Sequence, residues 1–402
     1  MKITILGPSQ PSRSPRLLRT AVALLNAGHS VTVINPVYES RFIAEDNLLA
    51  DAYAFAYKPL SLLDARGKIK LVPRLVRRAS TALARFPIGG VLLSNNLYYK
   101  PSSFFSAIAA SAPDVIFAHQ QAVFGLALAV ASAEGIPCIL DVEDILSCEP
   151  GGIPGANLFI ESYCLRRASV VTTMSQAASD YLRVRYGLNA HPVVIYNTPI
   201  PASHVARGDV NDIPRPKQSR KTIYWMGKTI GPHSCAKQLL LACIALGMPF
   251  DIYLRGEALP SYTMILLEAA KAAGYSNNLH ILPPLPSDLL IQEASTHDLM
   301  FGSQPPGNFF HELAIGNKVC LGVAAGNALL LQSTIAHRTL PEDVSRAAVL
   351  ADFSDPSSLQ NALILLSDET YLAKLKKNSM AAATGSLSWS RQMRTIQSLA
   401  VL

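Results

Sequence analysis

The sequence predicts an α/β protein made of two doubly wound domains, each built on a parallel sheet. Three observations support this class. The chain has 402 residues, which is too long for one ordinary hydrophobic core. Half of the residues are hydrophobic and 16% are charged, a balance that excludes disorder and suits buried parallel strands. A strand–helix–strand pattern begins at residue 2, stops near residue 198 and begins again near residue 222.

The first domain is predicted to span residues 1–200. Its opening unit has a strand at Lys2–Leu6, a helix at Arg16–Ala27 and a second strand at 29–34. Further apolar runs predict strands at 114–118, 136–141, 168–174 and 192–196, and a helix at 122–133. Repeated β–α–β units of this kind form a doubly wound parallel sheet.

The second domain is predicted to span residues 221–380, after an aperiodic linker at 201–220 that is rich in Pro, Asp, Ser and Arg. Strands are expected at 222–226, 250–254, 279–282 and 299–301, and helices at 237–246, 262–273, 288–294, 368–378 and 388–400. A helix–strand segment is expected at 317–331. Its Ala324-Ala325-Gly326 ending lets a helix turn tightly into a buried strand.

Composition and the N-terminal pattern predict a cytoplasmic protein. No apolar run approaches the ~18 residues that indicate a membrane-spanning helix, and the first residues lack the layout of a signal peptide. The six cysteines have none of the Cys-x-x-Cys or Cys/His spacings typical of zinc sites. We therefore expect core cysteines in a reducing compartment and no bound metal.

The net charge of +7 is concentrated in one segment. Basic residues there alternate with branched apolar ones, at Arg66, Lys68, Lys70, Arg74, Arg77, Arg78 and Arg85. The pattern suits an anionic membrane surface or a phosphorylated acceptor, and equally a solvated helix face beside a core stripe. No nucleic-acid-binding module accompanies the charge, so no nucleic-acid partner is expected.

Several short motifs occur in a recognisable order. The second half contains Trp225-Met226-Gly227-Lys228, Leu254-Arg255-Gly256, Asn317-Lys318 and Ser388-Trp389-Ser390. The first half contains Pro113–His119, Asp141–Asp144, Ala168–Ser175 and Val194–Asn197. In order and spacing these motifs resemble the nucleotide-sugar glycosyltransferases of the GT-B type, family-4-like.

The resemblance implies a fold and an activity. Two Rossmann-like domains would face a cleft, and residues 381–402 would carry the last helix back to the first domain. The enzyme would move a sugar from a nucleoside diphosphate sugar to a polysaccharide, lipid-linked or small-molecule acceptor, with retention of configuration and without metal or cofactor. A helix N-terminus and basic side chains would stabilise the departing diphosphate.

The resemblance also implies donor-binding residues in the second domain, which are Gly227, Lys228, Gly231, Ser234, Arg255, Asn317 and Lys318. Two positions depart from the family pattern. Ser234 stands where a helix normally begins with Arg or Lys, and Leu321 stands where a Glu binds the ribose. Glu312 is one place out of register with the other family carboxylate, so it is either a catalytic residue or a surface residue near a helix start.

Candidate residues of the first domain follow strand ends, where α/β folds bind ligands. His119 is the candidate catalytic residue, and Asp141 and Glu143 are candidates for binding sugar hydroxyls or accepting a proton. Gly7 and Ser9 lie in the first turn, on the expected acceptor side. All of these could instead be ordinary loop residues or turn caps.

Two other functions remain open on the sequence alone. Ser234 and Leu321 both replace residues that contact the donor in the family. The loss of two such contacts suits a GT-B-like partner or binding protein without catalytic activity. A different GT-B enzyme, such as a sugar epimerase or a phosphorylase, is the remaining alternative.

Overall fold

The computed structural model describes residues 1–61, 101–149, 154–201, 220–247, 250–287, 289–305 and 307–401. These residues form two compact units. The first contains Met1–Ile195 and Gln392–Leu402, and the second contains Tyr196–Arg391. The basic segment from Arg66 to Arg85 and most of the predicted linker lie outside the described residues, so both predictions about them stand as made.

The first unit is a seven-stranded parallel sheet in the order β3-β2-β1-β4-β5-β6-β7. Its strands are β1 (Lys2–Leu6), β2 (Ser30–Val37), β3 (Ala56–Ser61), β4 (Val115–His119), β5 (Cys138–Val142), β6 (Val170–Thr173) and β7 (Val193–Val194). Its helices are α1 (Pro15–Asn26), α2 (Ile43–Tyr53), α3 (Pro101–Ala109), α4 (Phe124–Glu134), α5 (Pro154–Leu165) and α6 (Gln176–Tyr186).

The strand order of this sheet reverses next to β1, which pairs with β2 on one side and β4 on the other. The strands are buried because both faces carry apolar residues, as in β1, where four of the five residues are buried. Connections leave β1 and β4 in opposite directions at such a reversal, and the carboxyl ends of the strands are where α/β folds bind ligands. His119, the last residue of β4, lies at this edge.

The second unit is a six-stranded parallel sheet in the order β10-β9-β8-β11-β12-β13. Its strands are β8 (Lys221–Ile230), β9 (Phe250–Ala258), β10 (Leu279–Leu282), β11 (Leu299–Gly302), β12 (Ala328–Gln332) and β13 (Ala348–Ala351). Its helices are α7 (Ala236–Ala245), α8 (Pro260–Ala272), α9 (Leu290–Ser295), α10 (Phe309–Leu313), α11 (Asn317–Ala325), α12 (Ile335–Arg338), α13 (Glu342–Ser345), α14 (Pro356–Ser367) and α15 (Glu369–Thr384).

The helix–strand segment at 317–331 has the tight turn that its sequence predicts. Helix α11 ends at Gly326, which has a φ of 75°, and the backbone N–H of Asn327 donates to the carbonyl of Gly322. A Cβ atom on Gly322 would lie 2.7 Å from the side chains of Leu329 and Met300. The glycine therefore allows α11 to pack closely on the sheet before β12 begins.

Strand β8 is longer than predicted. The alternating pattern weakens after Met226, yet the strand continues to Ile230 and pairs with β9 on both sides of a bulge between Met226 and Thr229. Two glycines make the bulge possible, because a Cβ on Gly256 would lie 2.5 Å from the carbonyl oxygen of Gly227. Gly227 and Lys228 therefore belong to a strand, and the prediction that they bind the donor stays a prediction.

The last helix, α16 (Trp389–Leu399), starts in the second unit and continues into the first. Within the first unit, Gln397 donates from Nε2 to the carbonyl of Ala23 in α1 at 2.9 Å. No helix among the described ranges is both long enough and apolar enough to cross a bilayer.

Candidate functional site

A buried polar network occupies the carboxyl ends of β4 and β5 in the first unit. The sheet register places His119 directly beside Asp141. The Nδ1 atom of His119 lies 2.8 Å from Asp141 Oδ2 and 3.1 Å from Glu143 Oε1. Three of the predicted site residues are thus brought together by the pairing of two adjacent strands.

Arg16 of α1 completes this network. Its Nε and Nη2 atoms donate to the two carboxylate oxygens of Asp141, each at 2.7 Å. The guanidinium also donates to the carbonyl of Ile195 at 2.7 Å. Arg16 and Asp141 are almost fully buried, with side chains 6% and 1% exposed, so the pair is desolvated and satisfied by hydrogen bonds.

The network sets the protonation states of its members. Burial alone would raise the pKa of Asp141, but the Arg16 guanidinium outweighs burial and holds that pKa well below its usual range. Burial likewise opposes the charged form of His119, yet the hydrogen bonds that it donates to Asp141 and Glu143 raise its pKa overall. Asp144, beside this network, has its pKa raised to about 6 by burial and then by the charge of Glu143. Asp141 is therefore ionised, and His119 is held toward its protonated form.

His119 has one polar atom left for a ligand. Its ring stacks on Phe117, with centroids 5.1 Å apart, and its Nε2 atom is buried without a hydrogen-bond partner in the described structure. A protonated His119 would carry an N–H at that atom, which can donate to a sugar hydroxyl or another ligand oxygen. The trio of His119, Asp141 and Glu143 could also surround a cation, but the positive charge of Arg16 on both oxygens of Asp141 disfavours this.

Gly7 and Ser9 follow β1 at the same edge of the sheet, because the carboxyl ends of parallel strands lie together. Gly7 has a packing role: a Cβ there would lie 2.4 Å from a methyl group of Leu17. The glycine therefore lets α1, the helix that carries Arg16, approach the end of β1.

A second group of candidate residues surrounds Lys318 in the second unit. Lys318 is in the first turn of α11, and its Nζ atom lies 5.2 Å from the centre of the Trp225 ring. Burial lowers the pKa of Lys318 to about 8. Burial and then the charge of Lys318 also lower the pKa values of His233 and His311. Asn317, the neighbouring predicted residue, is exposed at the start of the same helix.

A short turn that contains Ser234 precedes helix α7. A short 3₁₀ turn covers Pro232–Ser234, Cys235 is left-handed with a φ of 53°, and α7 begins only at Ala236. The Ser234 hydroxyl donates to the carbonyl of Gly231 at 2.7 Å and accepts from the N–H of Ala236 at 3.2 Å. Helix α7 thus begins one residue before the predicted start at 237, and Ser234 lies in the 3₁₀ turn that precedes it.

Another N–H at this helix start also has a partner. The backbone N–H of Lys237 donates to the hydroxyl of Tyr262 at 3.0 Å. Because the N–H of Ala236 donates to the Ser234 hydroxyl as well, two of the first N–H groups of α7 already have hydrogen-bond acceptors within the unit. A bound phosphate would depend correspondingly more on side-chain charge.

Of the basic residues predicted for the donor site, Arg255 is already paired. Its Nη2 atom lies 2.5 Å from Glu293 Oε1, and its Nη1 atom donates to the carbonyl of Pro283 at 2.6 Å. Lys228 is exposed on β8. The structure thus leaves Lys228 and Lys318 as the predicted basic residues that are not neutralised by an acid in the described part of the second unit.

Glu312 and Leu321 occupy different surroundings. One carboxylate oxygen of Glu312 accepts from the backbone N–H of Ile335, the first residue of α12, at 3.0 Å. Leu321 is buried in the core with 5% exposure. The position that holds a ribose-binding Glu in the family is here an apolar packing residue.

Sequence reasoning did not identify Arg16, Trp225 or His311 as part of these sites. Arg16 has an ordinary place in an amphipathic helix, and its partner Asp141 is 125 residues away in the sequence. A local pattern cannot reveal such a pair. The adjacency of His311 to Glu312 was the one available signal for that residue.

Comparison with known proteins finds one family match, which lies within the first unit. Residues 14–198 match the family described as "Glycosyl transferase 4-like domain". No curated protein matches the chain.

Solved structures match along the whole chain. Anabaena HepE in complex with UDP has a TM-score of 0.71 and 17% identity, with 100% of each chain covered. Sucrose-phosphate synthase from Thermosynechococcus elongatus has a TM-score of 0.70 and 13% identity, covering 99% of this chain and 98% of the other. A putative UDP-N-acetylglucosamine 2-epimerase from Listeria monocytogenes has a TM-score of 0.57 and 12% identity, covering 94% and 90%.

These matches confirm the predicted fold class. Both parallel sheets, with their surrounding helices, are included in alignments that cover essentially the full chain. The family match at residues 14–198 includes Arg16, His119 and Asp141. Residues 14–198 are therefore similar to the glycosyl transferase 4-like domain, and the whole chain has the GT-B fold of HepE and sucrose-phosphate synthase.

Proposed function

We propose that this protein transfers a sugar from a nucleoside diphosphate sugar to an acceptor. The observation that carries the proposal is the uncompensated positive charge around Lys318, beside the N-terminus of α7. A partly buried ammonium group without an acidic partner is costly unless an anion binds it. The structures of HepE with UDP and with UDP-glucose support a nucleotide sugar as that anion.

The chemistry we propose needs no protein nucleophile. Negative charge develops on the departing diphosphate, and Lys318 with the helix start would stabilise it. His119 and Glu143 offer a hydrogen-bond donor and an acceptor for sugar hydroxyls on the first unit. Retention of configuration and independence from metal ions belong to this proposal as features of the family resemblance.

The acceptor is proposed more broadly, as a polysaccharide, a lipid-linked sugar or a small molecule. A lipid-linked acceptor would suit the basic segment from Arg66 to Arg85, because each basic residue near an anionic leaflet contributes ~1 kcal/mol of attraction. We propose a cytoplasmic protein that uses this segment to reach the inner face of a membrane.

The test of donor binding is thermal unfolding of the full chain with UDP-, ADP- and GDP-sugars. A ligand that binds only the native state stabilises it by ~2.7 kcal/mol at one hundred times its Kd. We expect one nucleotide class to raise the melting temperature and to release nucleoside diphosphate when acceptors are supplied. A chain that is stabilised by none of these donors would contradict the proposal.

A second candidate function is a GT-B-like binding protein without turnover. The buried apolar Leu321 favours it, because this side chain cannot accept the ribose hydroxyls. Stabilisation by a nucleotide sugar, with neither its hydrolysis nor its transfer to any acceptor, would favour this alternative over the enzyme.

A further inference from the structure

We propose that the donor diphosphate is held by a lysine–histidine cluster, formed by Lys318, His233 and His311, which takes up protons when the anion binds. This inference rests on the proposed function and concerns the same site. In the family pattern, an Arg or Lys at position 234 would supply positive charge to the diphosphate. Here we assign that role to three side chains that can titrate.

The geometry places Lys318 and His233 beside one fixed aromatic ring. Trp225 is buried, and its Nε1 atom donates to Ser303 Oγ at 2.8 Å. Lys318 Nζ lies 5.2 Å from the centre of this ring, and the His233 ring centre lies 6.3 Å from it. A Cβ on Gly227 would lie 2.5 Å from the same ring. The absence of a side chain there leaves Trp225 room to support Lys318.

His233 and His311 approach from two other segments. His233 is in the 3₁₀ turn before α7, and its ring would lie 3.4 Å from a Cβ on Gly231. His311 is in α10, with its ring 5.2 Å from that of Phe310. The charge of Lys318 acts on both rings, and that of His233 acts on His311. Strand β8, the turn before α7 and two short helices thus bring these groups into one electrostatic neighbourhood.

The other groups that face the cluster do not neutralise it. Cys235 raises the pKa of Lys318 only as a minor influence against burial, and its own thiol pKa is raised by burial to about 11. His337 donates from Nδ1 to the carbonyl of Gln332 at 2.7 Å, and burial lowers its pKa to about 4, so it stays neutral. Glu312 is directed to the N–H of Ile335. In the described part of the unit, no acid forms an ion pair with Lys318, His233 or His311.

In such a cluster the pKa of each group is shifted toward the neutral form until an anion arrives. The three groups are partly desolvated and bear only like charges, so each protonation opposes the next. A diphosphate brings two negative charges and reverses this preference. Lysine and histidine can respond by binding protons, whereas an arginine is always protonated and cannot.

The coupling has a definite direction in pH. In the free protein the pKa of Lys318 is about 8, and those of His233 and His311 are below their ordinary value. Because binding favours the protonated forms, affinity must fall as the pH rises from 6 to 9. The histidines supply the proton uptake near neutral pH, and Lys318 supplies it above pH 8. For one proton the affinity changes by at most about tenfold per pH unit.

The experiment is titration calorimetry of the full chain with UDP-glucose, or with whichever nucleotide sugar stabilises it, at pH 6.5, 7.5 and 8.5. Buffers of different ionisation enthalpy give the number of protons taken up. A nucleotide sugar is chosen because its diphosphate has no group that titrates in this range, unlike the terminal phosphate of free UDP. We expect net proton uptake and weaker binding at higher pH.

Variants assign the protons to their groups. The double variant His233→Gln with His311→Gln should lose the uptake at pH 6.5 and 7.5. Lys318→Met should lose the uptake at pH 8.5 and bind about 10- to 100-fold more weakly, as expected for one charge-assisted contact to phosphate. Lys318→Arg should restore binding without restoring the uptake. The matched controls are His191→Gln and Lys271→Met, two exposed residues outside the cluster.

The outcomes separate this inference from the proposed function. Binding that is independent of pH and releases or takes up no protons would overturn the cluster and leave the glycosyltransferase proposal intact. Wild-type affinity and proton uptake in all cluster variants would do the same. Failure of every nucleotide sugar to bind the wild-type chain would overturn both.

Discussion

The polar clusters of the two units are arranged in opposite ways. In the first unit, the cations Arg16 and His119 lie against the anions Asp141 and Glu143. In the second, Lys318 and two histidines face one another without an acid in the described part of that unit. The charges of the first cluster are balanced within the fold, and we propose that those of the second are balanced only when a ligand supplies negative charge.

This difference determines what each cluster contributes to stability. A buried, hydrogen-bonded ion pair becomes very costly when one partner is removed, because the other charge is left without solvent or counter-charge. A cluster of like charges behaves in the reverse way, since removing a member relieves repulsion. The two units therefore respond to charge removal with opposite signs.

The largest expected effect is that of Arg16→Met. Asp141 would remain buried without the guanidinium that pairs with both of its oxygens, and with His119 as its remaining counter-charge, so we expect the free energy of unfolding to fall by about 3–5 kcal/mol. Urea denaturation measures this change. Arg183→Met, at an exposed position of α6, is the matched control. A loss below about 1 kcal/mol would show that the network is not what stabilises this edge of the sheet.

The same comparison predicts the opposite result for Lys318→Met. Removing an unpaired, partly buried ammonium should raise the free energy of unfolding, by up to ~1 kcal/mol, the scale of partly exposed charges. Donor binding should weaken in the same variant. A stability loss as large as that of the Arg16 variant would indicate a hidden partner for Lys318.

Much of the fold follows from local sequence, while the connections within the sites do not. The Ala-Ala-Gly ending of α11 predicts its tight turn because only a glycine takes the left-handed position without strain. The extension of β8 past Gly227 escapes prediction because glycines on two separate strands create the bulge. The pairings of Arg16 and Arg255 escape it as well, since a long-range partner decides whether a basic residue is available to a ligand.

A smaller effect on the free energy of unfolding is expected from pH. His119 in the first unit and Lys318 in the second should change this free energy in opposite directions as the pH rises. The pKa of His119 is higher in the folded chain than its ordinary 6.5, so its contribution is complete below pH 6.5 and is lost as the pH rises through the folded value. The pKa of Lys318 is about 8 when folded against 10.5 ordinarily, so the folded state gains stability as the pH rises above 8. Each unit of pKa difference corresponds to about 1.4 kcal/mol before solvent screening is considered.

The measurement is the urea midpoint of wild type, His119→Gln and Lys318→Met at pH 6, 7.5 and 9. The difference between wild type and each variant isolates one group from the rest of the chain. As the pH rises, we expect wild type to lose stability relative to His119→Gln. Over the same range we expect it to gain stability relative to Lys318→Met. Parallel pH profiles for the two differences would contradict the contrast between the clusters.

The smallest expected effect concerns Glu312, which lies beside the second cluster and is a candidate for catalysis on sequence grounds. In the structure its carboxylate accepts from the N–H of Ile335, as a helix cap does. If capping is its role, Glu312→Ala should cost about 0.5–1 kcal/mol of stability, and Glu312→Gln, which keeps an acceptor oxygen, should cost less. Both variants should then retain kcat, and Glu342→Gln at an exposed helix position serves as the control. If instead the carboxylate charge takes part in sugar transfer, Glu312→Gln would lower kcat by orders of magnitude at unchanged stability, and the second cluster would contain an anion that acts in catalysis.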